Sequence, residues 1–468
     1  MPAWLRTPSA RWRAAVAVGL AVFVAGSAVR YADKVSHKKD RQGGQTKSAF
    51  LRWRDQIKAF EAGDDIYQQF HYPNPPIQAL ILAPFARLDP VPGALLWFTL
   101  KLGMAAAAWV WAVRLSRDGP EPIPLWALVA AGLFTLHPVQ GDLSHGNVNI
   151  FIAFLVFGSL EAFRRGYDIT AGLALALAVG CKVTPALFLP YFLWKRAWRL
   201  SAAAAVGLVL WLAVVPAAAL GWGRGQTPAE GWDHNRTLLT SWYTTMVKPF
   251  LVDGQVTSEH ANQSLPGLTV RLLTHAPSDV NYDEDDHRPV AAGFHNLTDI
   301  GPANARLLIR GYQAVYVVAG LLLLRARLTG PGAARQGLRV AAEFSYVILG
   351  MLLFSERTWK HHGVVLMLPF LVAAAFLAVR RPPGLVRAGL AVLNTIVFAL
   401  IAVPSAWGDK VQDTALAYGS HTAVFLILLA EVVVILGWEN RRAATVGPAG
   451  PGPSASPAGP GFGPGPPG

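Results

Sequence analysis

The chain has 468 residues, 53% of them hydrophobic and only 15% charged, with a formal net charge of +13. A soluble domain carries about 25% charged residues, so an ordinary soluble enzyme, a disordered chain and a coiled coil are excluded. The single cysteine, Cys181, excludes a disulfide framework and a cysteine zinc site, and the positive balance first predicts basic cytoplasmic loops, not nucleic-acid binding.

A spanning helix needs about 20 mostly apolar residues. In chain order such runs lie at 12–30, 93–113, 123–140, 147–163, 201–220, 308–325, 340–355, 361–379, 388–406 and 416–437. A longer run, 168–194, is interrupted by Lys182 and Pro185 and reads as two short spans meeting at Lys182. The pattern predicts an all-α polytopic membrane protein with about twelve crossings. The first run has a basic start, and Ala25-Gly26-Ser27 lacks cleavage-site spacing, so it reads as an uncleaved signal anchor. Six regions follow: 1–30, the cytoplasmic N-terminal end and first helix; 31–92, an outer loop with amphipathic and re-entrant segments; 93–220, membrane helices; 221–307, a large outer loop; 308–437, further membrane helices; 438–468, a cytoplasmic tail. From Gly447 onward the tail is Pro, Gly, Ser and Ala apart from Phe462, a composition that predicts disorder.

Lys/Arg bias sets the orientation. With the N-terminus inside (Arg6, Arg11, Arg13), the groups Arg114/Arg117, Arg164/Arg165, Lys195/Arg196/Arg199, Arg325/Arg327/Arg335/Arg339, Arg380/Arg381/Arg387 and Arg441/Arg442 all fall on the cytoplasmic side. This requires that Pro75–Leu88 not cross. That segment, with Pro75-Pro76 and Pro84, is roughly 14 residues, the length of a re-entrant or interfacial helix. Lys34, Lys38, Lys39, Arg41, Lys47, Arg52, Arg54 and Lys58 then lie outside, against the trend. A long loop tolerates this; the functional alternative is that they meet a phosphate.

Ionisable residues within spans are costly and tend to be functional. Glu343 and Glu161 fall near cytoplasmic ends and can snorkel, while Glu431 suits a helix-packing hydrogen bond. The unusual polar residues gather instead at outer helix ends. Residues 48–61 place Phe50, Trp53, Ile57 and Phe60 on one face, an amphipathic helix for the membrane surface. Asp55 stands in it beside Arg52 and Arg54, suited to a general base or to an ion pair. The turn His137–Asn149 packs Gln140, Asp142, His145, Asn147 and Asn149 between two apolar runs. Its amides suit sugar hydroxyls, and Asp142 suits a base. Asp142 and His145 could share a metal, but spacing supplies no third ligand, so no metal site is assigned. Lys182-Val183-Thr184-Pro185 interrupts a span, and a lysine there needs an anionic partner or a snorkelling route. Arg357, Lys360, His361 and His362 beside Trp359 can bind a phosphate and protonate a leaving oxygen, or form an interfacial belt. In the loop 221–307, Trp222, Trp232, Trp242, Tyr243, Asn235, Asn262 and Gln263 suit sugar binding or a cap. The run Asp283-Glu284-Asp285-Asp286 reads as solvated.

These residues carry a resemblance. Gly63-x-x-x-Tyr67, Tyr72-Pro73-Asn74-Pro75-Pro76 and Pro84-Phe85 are similar to the first-loop signature of family 87 glycosyltransferases. His145-Gly146-Asn147-Val148-Asn149 resembles that family's Gly-Gln-x-Asn turn. Ala171-Gly172 through Lys182-Val183-Thr184-Pro185 to Trp194-Lys195-Arg196 resembles its Gly…Lys-x-x-Pro…Arg pattern, and Trp359-Lys360-His361-His362 its Trp-x-His-His pattern. The resemblance covers roughly residues 45–380. It implies the multispanning GT-C fold and transfer of a hexose, mannose first, from a polyprenyl-phosphate donor to an acceptor hydroxyl of a glycan or glycolipid on the outer face of the inner membrane. It also implies an acidic base in the first loop. The family's aspartate lies further upstream of the glycine than Asp55 does; Ser48-Ala49-Phe50 stand there.

The expected assignment is Asp55, Asp142 and His361 in catalysis, and Arg52, Arg54, His145, Asn147, Asn149, Lys182, Arg357, Lys360 and His362 in substrate binding. No cofactor is assigned and a divalent metal is left open. The competing reading is a transporter or flippase of lipid-linked sugars, for which broken helices and internal pseudo-symmetry are the marks; one break and no repeat are visible.

Overall fold

The structure, a computed structural model, describes residues 10–36, 48–223, 225, 227–282, 289–329 and 334–446. Arg6, Lys38, Lys39, Arg41, Lys47, the acidic run at 283–286 and the tail from Gly447 lie outside the described residues.

The first half runs α1 (Ala10–Ser36), α2 (Ala49–Ala62), α3 (Ile66–Phe70), α4 (Pro76–Ala86), α5 (Pro90–Ser116), α6 (Leu125–His145), α7 (Asn149–Arg164), α8 (Asp168–Cys181), α9 (Phe188–Trp194), α10 (Trp198–Val209) and α11 (Val215–Gly223). There follow α12 (Pro228–Trp242), α13 (Lys248–Leu251), α14 (Leu265–Leu273), α15 (Gly301–Leu323), α16 (Leu338–Leu353), α17 (Met367–Ala375), α18 (Gly384–Ala406), α19 (Asp409–Ala417) and α20 (Ser420–Val446). The chain is nearly all helical. The all-α expectation is amended by one antiparallel hairpin, β1 (Asp279–Tyr282) with β2 (Pro289–Gly293), in the 221–307 segment.

Among the described residues seven stretches are long and apolar enough to cross a membrane: Ala14–Ser36, Pro90–Ser116, Trp198–Gly223, Gly301–Leu323, Lys360–Arg380, Gly384–Ala406 and Ser420–Ala443. By length and composition, then, seven rather than twelve qualify. The remaining expected crossings fall on α6, α7, α8, α9 and α16. Helix α8 has 14 residues, a rise of about 21 Å against a hydrocarbon core of about 30 Å. α4 has 11 residues, too few to cross.

Contacts between distant segments separate two ends. At one, Arg335 pairs with Asp168 and Arg380 with Asp118, and Arg164 reaches Gln336 at 3.1 Å. There too Lys195 pairs with Glu343 at 2.5 Å and Arg380 with Glu439 at 2.6 Å. These are the loops that the charge bias groups together. Glu343 departs from the snorkelling expectation: it is 0% exposed, held by Lys195 and by the Tyr191 hydroxyl at 2.9 Å. Glu161 is likewise buried, at 3% exposed, and is gripped by Arg164 at 2.6 Å and Arg165 at 2.8 Å. Glu431 accepts from Asn394 at 2.7 Å, the helix-packing bond expected of it.

At the other end the first-loop signature has a structural explanation. The Tyr67 hydroxyl donates to the Asn74 carbonyl at 3.0 Å, and the Tyr72 hydroxyl donates to Gln78 Oε1. Tyr67 and Tyr72 are fully buried, so the tyrosine–proline turn packs α3 against the start of α4. The amphipathic pattern of α2 is present, but its apolar face does not lie on the membrane surface as expected: Phe50, Trp53, Ile57 and Phe60 are buried within the protein.

Helices α8 and α10 meet through glycine. A Cβ on Gly172 would lie 2.7 Å from Ala203 Cβ and 2.8 Å from the Ala204 backbone nitrogen. Small residues let spanning helices approach this closely where no hydrophobic force favours association. G172A is therefore expected to cost about 1–3 kcal/mol by overpacking. G103A is the control, because nothing lies within 4 Å of a Cβ there. Thermal melting in detergent compares them, and equal midpoints would refute the packing argument.

Candidate active site

The site is built around the turn between α6 and α7. Helix α6 ends at Gly146, whose φ is 63°. A Cβ there would stand 2.5 Å from the Tyr31 hydroxyl, 2.9 Å from Ser48 Oγ and 3.2 Å from Phe50 Cβ. Only glycine meets both the left-handed backbone and the close approach. α1 and the start of α2 are thereby seated on the turn, and Lys34 Nζ donates to the Ser144 carbonyl at 2.8 Å.

Asp142 turns back from α6 to cap α7. Its Oδ1 accepts from the Asn149 backbone N–H at 3.1 Å and from Asn149 Nδ2 at 2.9 Å, and Oδ2 faces the Ile150 N–H at 3.4 Å. A helix N-terminus leaves such donors unpaired and favours a negative charge. Lys101 Nζ completes the carboxylate at 3.2 Å and also donates to the Asp142 carbonyl at 2.8 Å. Both side chains are 0% exposed. The oxygens of Asp142 thus all face buried donors of Lys101, Asn149 and Ile150. Lys101 stands inside the apolar run 93–113, an ionisable residue that attention to helix ends alone passes over; a lysine in mid-run was the available signal.

Asn149 carries the arrangement on. While its Nδ2 donates to Asp142, its Oδ1 accepts from Lys182 Nζ at 2.6 Å. Lys182 follows the last residue of α8 in extended backbone (φ −161°, ψ 126°). With Asn149, Ile152, Thr184, Ser355, Thr358 and His362 it lines a cavity of about 20 Å³, room for about one water. The relay Lys101–Asp142–Asn149–Lys182 thus joins the second and third sequence clusters.

The fourth cluster packs against the second. His361 is 2% exposed and stacks on His145 with ring centroids 4.9 Å apart. Asn147 Nδ2 lies 3.1 Å from His361 Nε2, and an amide N–H donating there leaves a neutral imidazole with its proton on Nδ1. His145 Nδ1 donates to the Gly141 carbonyl at 2.8 Å. The Trp359 backbone N–H donates to His362 Nδ1 at 3.3 Å, which puts the His362 proton on Nε2. In this state His361 has no proton to give from Nε2.

The remaining expected residues are dispersed. Arg54 donates to the Leu88 carbonyl at 3.2 and 2.9 Å and so clamps α2 to the end of α4, in place of the substrate contact expected of it. Asp55 is 83% exposed and its ion pair is with Arg54 at 3.6 Å. Arg52 is exposed. Arg357 lies 3.7 Å from Glu356 and 3.4 Å from Thr257 Oγ1, and Lys360 feels Asp413 and Asp409. Burial lifts the neighbouring Glu356 carboxyl to about 7, with Arg357 opposing the rise. The outer-loop amides are structural. Asn262 and Gln263 are 0% exposed; Asn262 Nδ2 donates to the Glu356 carbonyl at 2.9 Å, and its Oδ1 accepts from the Thr358 N–H at 3.0 Å. Asn235 Nδ2 donates to the Leu212 carbonyl at 3.0 Å. Asn262 and Gln263 thus hold residues 356–358, while Asn235 holds the segment between α10 and α11. Trp222, by contrast, is 89% exposed. Among the described residues no group of three or more His, Cys, Asp or Glu side chains gathers as a metal site.

The profile described as "Glycosyltransferase family 87" matches residues 70–356, more than half of the chain. A protein of Mycolicibacterium smegmatis named polyprenol-phosphate-mannose-dependent alpha-(1-2)-phosphatidylinositol mannoside mannosyltransferase is 26% identical over 336 residues, 68% of this chain and 65% of its own length. The Mycobacterium tuberculosis protein of the same name is 28% identical over 328 residues, 66% of this chain and 62% of its own. This chain therefore spans less than two thirds of either relative. A crystal structure of ArnT from Cupriavidus metallidurans bound to undecaprenyl phosphate is 12% identical, covering 91% of this chain and 79% of that one at a TM-score of 0.38.

Proposed function

The chain belongs to glycosyltransferase family 87, and from that premise we propose that it is a membrane-embedded hexosyltransferase of GT-C type. It moves mannose from a polyprenyl-phosphate donor to an acceptor hydroxyl on the outer face of the inner membrane, with both termini cytoplasmic. The single observation carrying this reading is the cavity at the break after α8, where Lys182, Asn149, Thr184 and His362 converge beside Ile152, Met351, Leu352 and Val365. The donor is the one in both relatives' names, and their phosphatidylinositol mannoside is the acceptor class to try first.

The acceptor oxygen attacks the anomeric carbon as the bond from that carbon to the phosphate oxygen breaks. The electron pair departs with the lipid phosphate, and the hydroxyl proton passes to a carboxylate. A single displacement inverts the anomeric centre. Lys182 and the His362 Nε2–H stabilise charge on the leaving phosphate, where preorganised donors act most strongly. Arg357 and Lys360 extend that positive rim, and Arg52 meets headgroups from the exposed face of α2. Asn147 and His145 hold His361, and the three form a polar wall for the sugar. Asp142 positions Asn149 and is not the base. Asp55, whose carboxylate is open to the acceptor side, takes that role. Asp33, in the turn of α1 that carries Lys34 onto Ser144, is a further carboxylate of this first outer region.

The test uses purified protein in nanodiscs with radiolabelled polyprenyl-phosphate mannose and a lipid extract containing phosphatidylinositol mannosides, with and without EDTA. Label in a new glycolipid supports the reading, and loss of transfer on chelation would require a divalent metal. Donor binding without transfer, together with movement of donor across liposomes, would make the protein a flippase. D55N is expected to abolish turnover at unchanged membrane expression. Retained activity in D55N with loss in D33N would move the base to Asp33.

A further inference from the structure

At the end opposite the proposed site a second cavity opens, of about 630 Å³, lined by Leu193, Trp194, Lys195, Arg196, Trp198, Arg325, Ala326, Arg327 and Thr329. Its size falls in the ~300–1,000 Å³ range of ligand pockets. Two segments form it: the turn from α9 into α10 and the segment after α15. Arg196 takes a left-handed backbone with φ 56°, an uncommon state for a non-glycine residue that persists only where surroundings impose it. Thr329 Oγ1 donates to the carbonyls of Lys195 at 3.2 Å and Arg196 at 3.4 Å, which ties that turn to the second segment. Arg196 is thereby brought to the same cavity as Arg325 and Arg327.

The charges do not cancel. Lys195 is satisfied, with Glu343 at 2.5 Å and the carbonyls of Leu324 and Ala326 at 2.6 and 2.8 Å. Arg196, Arg325 and Arg327 have no carboxylate within ion-pair distance among the described residues. Positive-inside bias places arginines at this end of the molecule. It does not account for three of them around one concavity, where like charges repel unless an anion sits between them. Trp194 and Trp198 are 50% and 61% exposed beside Leu193 at 48%, the side chains of a membrane–water interface. Basic pockets between helices on the cytoplasmic side accept anionic headgroups.

We infer that this cavity seats the phosphate headgroup of an anionic phospholipid from the leaflet opposite the proposed active site, with Arg196, Arg325 and Arg327 holding the phosphate and Trp194, Trp198 and Leu193 meeting the acyl chains. The inference depends on membrane embedding and not on the transfer reaction. Each arginine is expected to contribute about fivefold in affinity, on the order of 100-fold for the three.

The full-length protein is purified in detergent, titrated with phosphatidylglycerol or phosphatidylcholine, and bound lipid is counted by native mass spectrometry. The wild type is expected to retain phosphatidylglycerol in preference to phosphatidylcholine, and R196Q/R325Q/R327Q to lose that preference. R117Q, which removes an exposed charge outside the cavity, keeps it. If the triple variant does not purify as a folded monodisperse species, R327Q alone is read the same way, with a fivefold weakening expected. Equal phosphatidylglycerol retention in variant and wild type overturns the proposal. Displacement of the lipid by millimolar inorganic phosphate also overturns it, in favour of a free-anion site.

Discussion

K182M is expected to lower mannosyl transfer by about 10²- to 10³-fold while the protein remains folded and membrane-inserted. Lys182 sits where α8 breaks, with its ammonium on Asn149 Oδ1 at 2.6 Å, in a cavity shared with Thr184, Ser355 and His362. A cation so placed strengthens its hold on the phosphate as the glycosidic bond breaks and charge builds on the leaving oxygen. Methionine keeps an unbranched side chain of similar bulk and removes the ammonium, with its charge and its hydrogen bond to Asn149. The fold survives because the amide that loses its donor retains Asp142. K182R is expected to remain impaired, since a guanidinium is a broader group than an ammonium. Transfer rates from labelled donor, normalised to folded protein, decide the matter; activity within threefold of wild type in K182M would remove Lys182 from the mechanism.

D142N is expected to fail in folding before it fails in chemistry. The substitution leaves the Lys101 ammonium buried without its counter-charge, and breaking a buried ion pair costs about 3–5 kcal/mol. Its NH₂ group replaces one of the two carboxylate oxygens and so sets a donor against either the Asn149 N–H or the Ile150 N–H. K101M is expected to lose stability for the converse reason, leaving an unpaired buried carboxylate. The double variant K101M/D142N removes both charges and is expected to recover part of the loss, so that the cycle gives a coupling energy between two residues 41 positions apart in sequence. Melting temperature and monodisperse yield in detergent are the measurements. A D142N protein that melts with the wild type yet transfers no sugar would restore Asp142 as the base.

Most of the architecture was legible in the chain because its causes are local. Apolar runs mark membrane helices whatever they pack against, and Lys182 with Pro185 announces the break after α8. The amphipathic face of α2 and the common end of the basic loops follow the same logic, and the Arg335–Asp168 and Arg380–Glu439 pairs now join those loops. The β1–β2 hairpin was not visible beside the acidic run, and the eleven apolar runs read as twelve crossings give seven stretches long and apolar enough to span among the described residues.

Residue type alone marked the four polar clusters, since amides, imidazoles and cations between apolar helices are conspicuous. Which of them meet was decided by tertiary structure. Asn147 reaches His361 across 214 positions and Lys182 reaches Asn149 across 33, distances over which no periodicity carries information. The same packing assigned roles that composition left open. It buried Asp142 against Lys101, spent Arg54 on a carbonyl, closed Asn262 and Gln263 into a cap, and left Asp55 facing outward. A side chain's chemistry is fixed by its own atoms, but whether it is free to act depends on which donors, acceptors and water surround it, and only the folded chain sets those neighbours.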